Sequence, residues 1–306
     1  LTVEHYAVFD VNHKNNTIGA SYLVADILIS FLLVTIIKTL HIDFSIFLIL
    51  FFRYLFCLPL LIVYGVYSRG SKFLSIKNIR GLILRSCFGF IGLMMWFLAI
   101  SEIDISLATA LTQTMPIFIT ILSVFIAGEY VGFRRVVSVI IGFAGVLVLL
   151  LPLSPELNLW GVIYALLSSL FGALMFVYLR VIGRTDPAIS TAIWYNSSGI
   201  IFAGVLAHYL DGFDVVLNTR NLSTFYLFIT LGVLASFQQF CLAQSHMYSQ
   251  ASTLAPLQYL SIPLGVTIGI LLFNEAITVK YIVGTAIIIA STYYIFIREQ
   301  TKKTDI

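Results

Sequence analysis

The sequence predicts an all-α integral membrane protein in which ten transmembrane helices form two inverted five-helix repeats. Three observations favour this fold class: the composition, ten long apolar runs, and a motif that occurs twice. Of the 306 residues, 60% are hydrophobic and 10% are charged, whereas soluble domains are about 45–50% apolar and about 25% charged. Because so few charges cannot cover a water-facing surface, the composition excludes a soluble enzyme, a nucleic-acid-binding protein and a disordered chain.

Ten apolar runs are each long enough to form a membrane-spanning helix, which needs about 20 residues. They cover residues 17–37, 45–66, 80–100, 105–127, 134–151, 158–179, 189–210, 223–244, 251–273 and 279–297. Continuous runs predict helices, because the strands of an outer-membrane barrel would alternate apolar and polar residues instead.

An internal repeat relates the fourth and fifth runs to the ninth and tenth. Each pair has a proline inside its first helix, Pro116 or Pro263, and then a glutamate at the helix end, Glu129 or Glu275. Both glutamates are interpreted as repeat-related features of helix ends rather than as site residues. The sequence therefore predicts one repeat at residues 17–151 and a second at residues 152–297. Since five crossings is an odd number, the second repeat enters the membrane from the opposite side.

The basic residues predict the orientation of the chain. If the N-terminus is cytoplasmic, only Lys38, Arg220 and Lys280 of the 17 basic residues fall in outer segments, and Arg53 lies inside a helix. Cytoplasmic segments carry an excess of Lys and Arg in membrane proteins. The tails, residues 1–16 and 298–306, are therefore expected in the cytoplasm, with the helices in a bacterial cytoplasmic (inner) membrane.

Several stretches carry a family resemblance. Residues 84–152 contain LATALTQTMPIFITIL, AGE and GFAGVLVLLLP, and the second half contains ASTLAPLQYLSIP, NEAIT and YYIFIRE. With these elements the chain resembles the drug/metabolite transporter (DMT) superfamily, and specifically its ten-helix EamA-type members. The resemblance implies that helices 1, 3, 4, 6, 8 and 9 line a central cavity and that helices 5 and 10 are peripheral. It leaves the solute open, because the family carries amino acids, nucleosides, vitamins and sugars.

Two charged residues lie inside predicted helices, where an ionisable side chain is by default a candidate for function. Asp26 lies near the middle of the first helix, and Tyr22 shares its face. Asp26 is expected to bind a cationic substrate group or to carry a coupling proton, and the alternative is a structural pair with a neighbouring helix. Arg53 could extend to the interface, pair with Asp26, or attract an anionic substrate.

Polar and aromatic residues on the other helices complete the candidate substrate-binding site. Thr112 and Gln113 belong to a polar stripe on one face of the fourth helix. The remaining candidates are Trp96, Tyr164, Gln238, Gln239 and Tyr259. Hydrogen bonding between helices and aromatic packing are the structural alternatives for these residues.

The leading functional prediction is a secondary-active transporter that moves a small polar organic metabolite by alternating access. An amino-acid-like solute is the first candidate, and a nucleoside-like or vitamin-like metabolite is the second. Proton coupling and exchange both remain open. An integral-membrane enzyme is the less favoured alternative, because the five histidines form no catalytic constellation. No Walker A motif, cofactor, metal site or nucleic-acid partner is expected, so the predicted partners are the solute and membrane lipid.

Overall fold

The computed structural model describes residues 16–115, 117–119, 121–122, 133–150, 158–182, 185–210, 222–248, 261–275 and 278–301. Within these ranges it contains ten α-helices and no strand. They are α1 (Asn16–Leu40), α2 (Ile46–Arg69), α3 (Ile79–Glu102), α4 (Ile105–Thr112), α5 (Phe133–Leu150), α6 (Leu159–Ile182), α7 (Ala188–Leu210), α8 (Leu222–Tyr248), α9 (Ser261–Phe273) and α10 (Val279–Thr301). Each helix falls within or over one predicted run, which confirms the predicted fold class.

Six of the described helices are long and apolar enough to cross a membrane on their own: α1, α2, α3, α6, α7 and α8. Shorter apolar stretches of helix occur at residues Leu264–Phe273 and Val279–Ser291, and α4 is a further short apolar helix. Large hydrophobic side chains are exposed around the bundle, among them Trp160, Phe202 and Leu271. Such exposure suits a molecule whose outer surface faces hydrocarbon, since lipid is as apolar as these side chains.

Local sequence explains where several helices begin and end. Ser45 begins α2, and its side chain accepts a hydrogen bond from the backbone N–H of Leu48. Asn78 does the same for α3 through the N–H of Gly81. Helix α2 ends at Gly70, whose φ of 57° is readily adopted by glycine. Ser and Asn are favoured at N-caps because their side-chain oxygens satisfy the free N–H groups of the first turn.

Helix contacts relate the two halves by an approximate two-fold symmetry. Helix α3 packs against α6, α8 against α1, α2 against α7, α4 against α9, and α5 against α10. If each helix is exchanged with its counterpart five places along the chain, the α3–α6 contact becomes the α8–α1 contact and the other three pairs are unchanged. Because each repeat has an odd number of helices, helices that cross the membrane in turn run antiparallel to their counterparts, as α1 does to α6. The repeats are therefore inverted, as the sequence predicts.

Candidate functional site

A cavity of about 260 Å³ lies between the two halves of the bundle. Its walls come from α1, α2, α3 and α4 of the first half and from α8 and the start of α9 in the second. Phe31, Trp96 and Phe97 are among its apolar walls. The polar residues that line it are Ser30, Arg53, Thr109, Thr112, Gln113, Gln238 and Ser261. The family resemblance implies that helix 6 lines the cavity and does not include helix 2. In the structure, α2 contributes Arg53 to the lining, and the described part of α6 contributes no residue.

Arg53 places a positive charge in this cavity. Its side chain is 5% exposed, and its Nη1 atom has no hydrogen-bond partner in the part of the chain that the structure describes. The guanidinium carbon lies 5.3 Å from the centre of the Tyr54 ring, within reach of a cation–π interaction. Because a buried charge is unfavourable without a partner, Arg53 can receive an anionic group that enters the cavity.

Asp26 is buried on the same helix as Ser30 but is not a lining residue of the cavity. Its Oδ1 atom has no hydrogen-bond partner among the described residues. Its backbone carbonyl accepts a hydrogen bond of 2.8 Å from Ser30 Oγ. No ion pair joins Asp26 to Arg53, and the ion pair found among the described residues is Lys38–Glu275. Asp26 and Arg53 are therefore two separate buried charges, one beside the cavity and one in its wall.

Two hydrogen bonds cross the cavity region between the halves. Gln113 Nε2 of α4 donates to Ser261 Oγ of α9 at 2.9 Å. Gln238 Nε2 of α8 donates to Ser30 Oγ of α1 at 2.8 Å. Thr109 adds a buried hydroxyl without a partner among the described residues. The cavity therefore offers amide and hydroxyl groups from both repeats around one cationic side chain.

The other predicted site residues have different positions. Tyr22 packs edge-to-face on Phe240, with ring centres 6.2 Å apart. Tyr164 stacks on Trp160. Gln239 Oε1 accepts a hydrogen bond from Asn196 Nδ2 at 3.3 Å, which joins α8 to α7.

Tyr259 lies outside the described residues, as do Pro116 and Glu129. Arg53, Trp96, Thr112, Gln113 and Gln238 are thus the predicted residues that the fold brings together. The sequence does not single out Ser261, because a lone serine before Pro263 carries no distinguishing pattern.

One end of the bundle, which we call the Lys38 end, is held by the carboxylate of Glu275. This side chain, 8% exposed, accepts hydrogen bonds from the backbone N–H of Ile105 at 2.7 Å and of Ser106 at 3.1 Å. It also accepts from Ser106 Oγ at 2.6 Å and forms an ion pair of 3.3 Å with Lys38 Nζ. Glu275 therefore joins the second half to α1 and α4 of the first.

At the opposite end of the bundle, Asp186 joins the loop between α6 and α7 to the start of α3. Its carboxylate accepts hydrogen bonds from the backbone N–H groups of Lys77 and Asn78 and from the hydroxyl of Thr185. Burial raises the pKa of Asp186, but these hydrogen bonds outweigh burial and hold the pKa below its ordinary value.

Two further bonds of that end cross between the halves. Arg69 Nη1 donates to Ser190 Oγ at 2.6 Å. Trp194 Nε1 donates to the carbonyl of Leu74 at 3.0 Å. Both ends of the bundle thus carry specific polar contacts between the repeats, with the cavity between them.

Comparisons with known proteins agree with this architecture. The sequence profile of the EamA-like transporter family matches residues 17–151 and 159–297. An S-adenosylmethionine uptake transporter of Rickettsia prowazekii is 26% identical over 257 residues, covering 82% of each chain. A riboflavin transporter of Rhizobium johnstonii is 27% identical over 253 residues, covering 82% of this chain and 80% of the relative. One solved crystal structure superimposes with a TM-score of 0.57 at 17% identity, covering 88% of this chain and 95% of that one, which shows the same fold.

Proposed function

The chain belongs to the EamA-like transporter family, and from this premise we propose that it is a secondary-active carrier of a small polar metabolite. As an integral membrane protein with transporter relatives, it acts on a solute in a membrane context. We place it in the bacterial cytoplasmic membrane with both tails in the cytoplasm. The carrier operates by alternating access, in which the two repeats rock about a site near the middle of the membrane. It is a carrier rather than an enzyme.

The single observation that carries this proposal is the cavity between the repeats with Arg53 in its wall, whose Nη1 atom has no hydrogen-bond partner among the described residues. A purely structural gap between helices would be lined by apolar groups, because a void gives a buried charge nothing to pair with. Instead, polar groups from both halves line the same cavity as the guanidinium. A solute with an anionic group supplies a partner for the Arg53 Nη1 atom, which has none in the described part of the chain.

An amino-acid-like solute fits this cavity best. Its carboxylate would pair with Arg53, and its remaining polar atoms would bond with Gln113, Gln238 and Ser261. The cavity of about 260 Å³ is slightly smaller than the roughly 300–1,000 Å³ typical of sites for drug-sized ligands, which favours a small molecule. The S-adenosylmethionine uptake relatives support this class, since that substrate contains an amino-acid carboxylate.

A nucleoside-like or vitamin-like metabolite is the second candidate. Trp96 lies in the cavity wall, where its indole can stack on a planar ring system. The S-adenosylmethionine and riboflavin transport relatives both act on molecules that contain such a ring.

Asp26 is the proposed site of proton coupling. It lies at membrane depth in α1 with one carboxylate oxygen unpartnered among the described residues. Ser30, one helical turn from Asp26, donates to the Asp26 backbone carbonyl and accepts from Gln238, and both Ser30 and Gln238 line the cavity. The Asp26 carboxylate is therefore close to residues that would contact the solute. If the carrier works by exchange instead, Asp26→Asn will transport with an unchanged pH dependence.

Uptake into proteoliposomes tests the proposal. The purified protein is reconstituted and offered radiolabelled methionine, S-adenosylmethionine and riboflavin in separate experiments. We expect saturable uptake of at least one carboxylate-bearing solute, accelerated by the same solute on the opposite side. Arg53→Gln is expected to raise the KM for that solute at least tenfold, because a charge-assisted hydrogen bond to a carboxylate is lost.

Arg80→Gln is the matched control, since Arg80 is an exposed arginine outside the cavity. Its KM is expected to equal that of the wild type. Flux that rises linearly with concentration would contradict a carrier. Equal effects of the two arginine substitutions would contradict the assignment of Arg53 to the substrate site.

A further inference from the structure

Two carboxylates lie near the N-terminus of α4, that of Asp104 next to the helix and that of Glu275 in the second half of the chain. Only the Glu275 carboxylate accepts hydrogen bonds from the N–H groups of this helix end. Asp104 is the N-cap residue of α4, with φ −58° and ψ 141°, yet its side chain makes no capping hydrogen bond. Asp is among the residues most favoured at this position, because its carboxylate accepts the N–H of the second or third helical residue. The second half supplies the cap instead, through Glu275.

The chain around Glu275 is built to deliver its carboxylate across the interface. Asn274 ends α9 in a left-handed conformation with a φ of 53°. The next backbone N–H, that of Glu275, returns to the carbonyl of Gly269 at 3.0 Å. A Cβ atom on Gly269 would collide with the Glu275 carboxylate. Glycine at this place in α9 therefore leaves the space through which the carboxylate reaches α4.

Further contacts at the Lys38 end cross between the halves with Glu275. The Lys38 ammonium pairs with Glu275 and lies 4.6 Å from the ring centre of Phe273 in α9. Tyr281 of α10 donates a hydrogen bond of 2.8 Å to the carbonyl of Ser106. All of these contacts must break if the halves separate here.

This cluster lies directly beyond one end of the cavity. Ile37 lines the cavity and is followed by Lys38, while Thr109 lines it one helical turn, about 6 Å, from Ile105. Separation of the halves at this point would therefore open the cavity to the Lys38 end of the bundle.

We propose that α4 exchanges its cap during transport: Glu275 caps it while the Lys38 end is closed, and Asp104 caps it when that end opens. The inference rests on the proposed alternating access. In the open state the N–H groups released by Glu275 would otherwise have only water as a partner. Asp104, already at the N-cap, accepts the N–H of Ser106 in its stead. With this exchange, the free N–H groups at the start of α4 have a carboxylate acceptor in the closed state and in the open state. The two conformations can then be close in free energy, as an equilibrium between two populated states requires.

The electrostatics of Asp104 support a competition between the two carboxylates. Burial and then the negative charge of Glu275 raise the pKa of Asp104, while Lys38 lowers it. Two acidic groups thus lie close enough to repel at the same helix end. The partial positive charge of a helix N-terminus favours one carboxylate in direct contact with it, so the departure of Glu275 leaves a place that suits Asp104.

Distance measurements between spin labels test the exchange without any substrate. Labels are placed on Ile42→Cys, after α1, and Val279→Cys, at the start of α10, which are 81% and 76% exposed and lie on different halves at the Lys38 end. The native cysteines are replaced by alanine first; they are Cys57, Cys87 and Cys241. The fraction of molecules with the longer label separation reports opening of this end in proteoliposomes.

The two acidic residues are expected to act in opposite directions. Glu275→Gln keeps the side-chain shape but removes the charge, so the open fraction should rise. Asp104→Ala removes the cap of the open state, so the ratio of open to closed molecules should fall about fivefold, the typical effect of a lost N-cap. Asp104→Asn is the matched control, because Asn caps as well as Asp but carries no charge. Its ratio of open to closed molecules should lie above that of Asp104→Ala and at or below that of the wild type.

Other results would overturn the proposal. If Asp104→Ala and Asp104→Asn give the same distribution, or if Asp104→Ala raises the open fraction, Asp104 does not cap the open state. If Glu275→Gln does not fold, Lys38→Met provides a second test of the closed state. This substitution removes the ion pair with Glu275 and leaves the helix cap in place. The open fraction of Lys38→Met should also rise. Uptake assays test the proposed transport function independently of the label distances. A negative result for the cap exchange can therefore be distinguished from a negative result for transport.

Discussion

Buried charged residues of this protein differ in whether another group pairs with them. Glu275 and Asp186 each accept several hydrogen bonds, and each joins segments far apart in the chain. Arg53 and Asp26 each retain an atom with no partner among the described residues. Because an unpaired buried charge is destabilising, the first pair is suited to holding the fold and the second pair to binding a solute or a proton.

Asp186 carries a prediction about pH. Its lowered pKa means that its carboxylate stabilises the folded state fully above the ordinary aspartate pKa of about 3.9, and that this stability is lost as the pH falls through the lowered pKa. Asp186→Ala is therefore expected to cost about 1–3 kcal/mol at neutral pH. Thermal unfolding in detergent across a pH series measures the effect.

The difference in melting temperature between wild type and Asp186→Ala should narrow below about pH 4. Asp186→Asn serves as the control, because its amide keeps one acceptor and does not titrate in this range. A difference that is constant from neutral to acidic pH would show that the carboxylate charge is irrelevant to this contact.

Glycine positions decide how closely individual helices approach one another. In α3, a Cβ atom on Gly92 would lie 3.2 Å from the backbone nitrogen of Gly172 in α6. Ser168 Oγ donates to the Gly92 carbonyl at 2.9 Å across the same contact. In α9, Gly265 faces the side chains of Thr109 and Phe31. These small residues form contacts between the repeats within one chain, as expected for helix packing in membranes.

Gly92→Ala and Gly172→Ala form a matched pair of substitutions on the α3–α6 contact. The new methyl of Gly92→Ala meets backbone, which can yield only if the helices move apart. That of Gly172→Ala meets the end of the flexible Met115 side chain. Both gain about 1 kcal/mol of helix propensity. We expect Gly92→Ala to be less stable than Gly172→Ala by about 1–2 kcal/mol, measured by thermal unfolding in detergent; equal stability would contradict the close approach.

At the scale of the whole molecule, the contacts found among the described residues at the two ends of the bundle use different chemistry. The Lys38 end uses an ion pair and a helix cap supplied by Glu275. The opposite end uses bonds from a loop carboxylate, Asp186, and from Arg69 and Trp194. The repeats are related in their helix packing, but in the part of the chain that the structure describes these contacts involve different residue types at the two ends. Separate contacts at each end allow one to break while the other holds, which alternating access requires.

The proposed orientation predicts which end faces the cytoplasm. Ile42→Cys lies in the α1–α2 connection and Ser71→Cys in the α2–α3 connection, and both positions are exposed. With cytoplasmic tails, a membrane-impermeant maleimide should label Ile42→Cys in intact cells. It should label Ser71→Cys only after the cells are permeabilised. The reverse pattern would place both tails outside.

Much of the fold could be predicted from the sequence because its causes are local or additive. Apolar length identifies a spanning helix, and odd crossings per repeat force the inversion, so α1 to α10 lie where the ten runs predicted them. Arg53 is predictable for a similar reason, since a charge within an apolar run is visible without a structure. The spacing of polar residues on one helix face predicts Gln113 in the same way.

The sequence by itself determined that this is a membrane protein of two inverted repeats with unusual charges in α1 and α2. Only the tertiary structure decided which of those charges faces the cavity, that Asp26 and Arg53 do not pair, and that Glu275 caps a helix 169 positions away at Ser106. Helix length and apolar composition depend on neighbouring residues, whereas a buried polar contact depends on how distant helices pack. No local sequence pattern shows whether a glutamate caps a helix next to it in the chain or a helix far away in the chain.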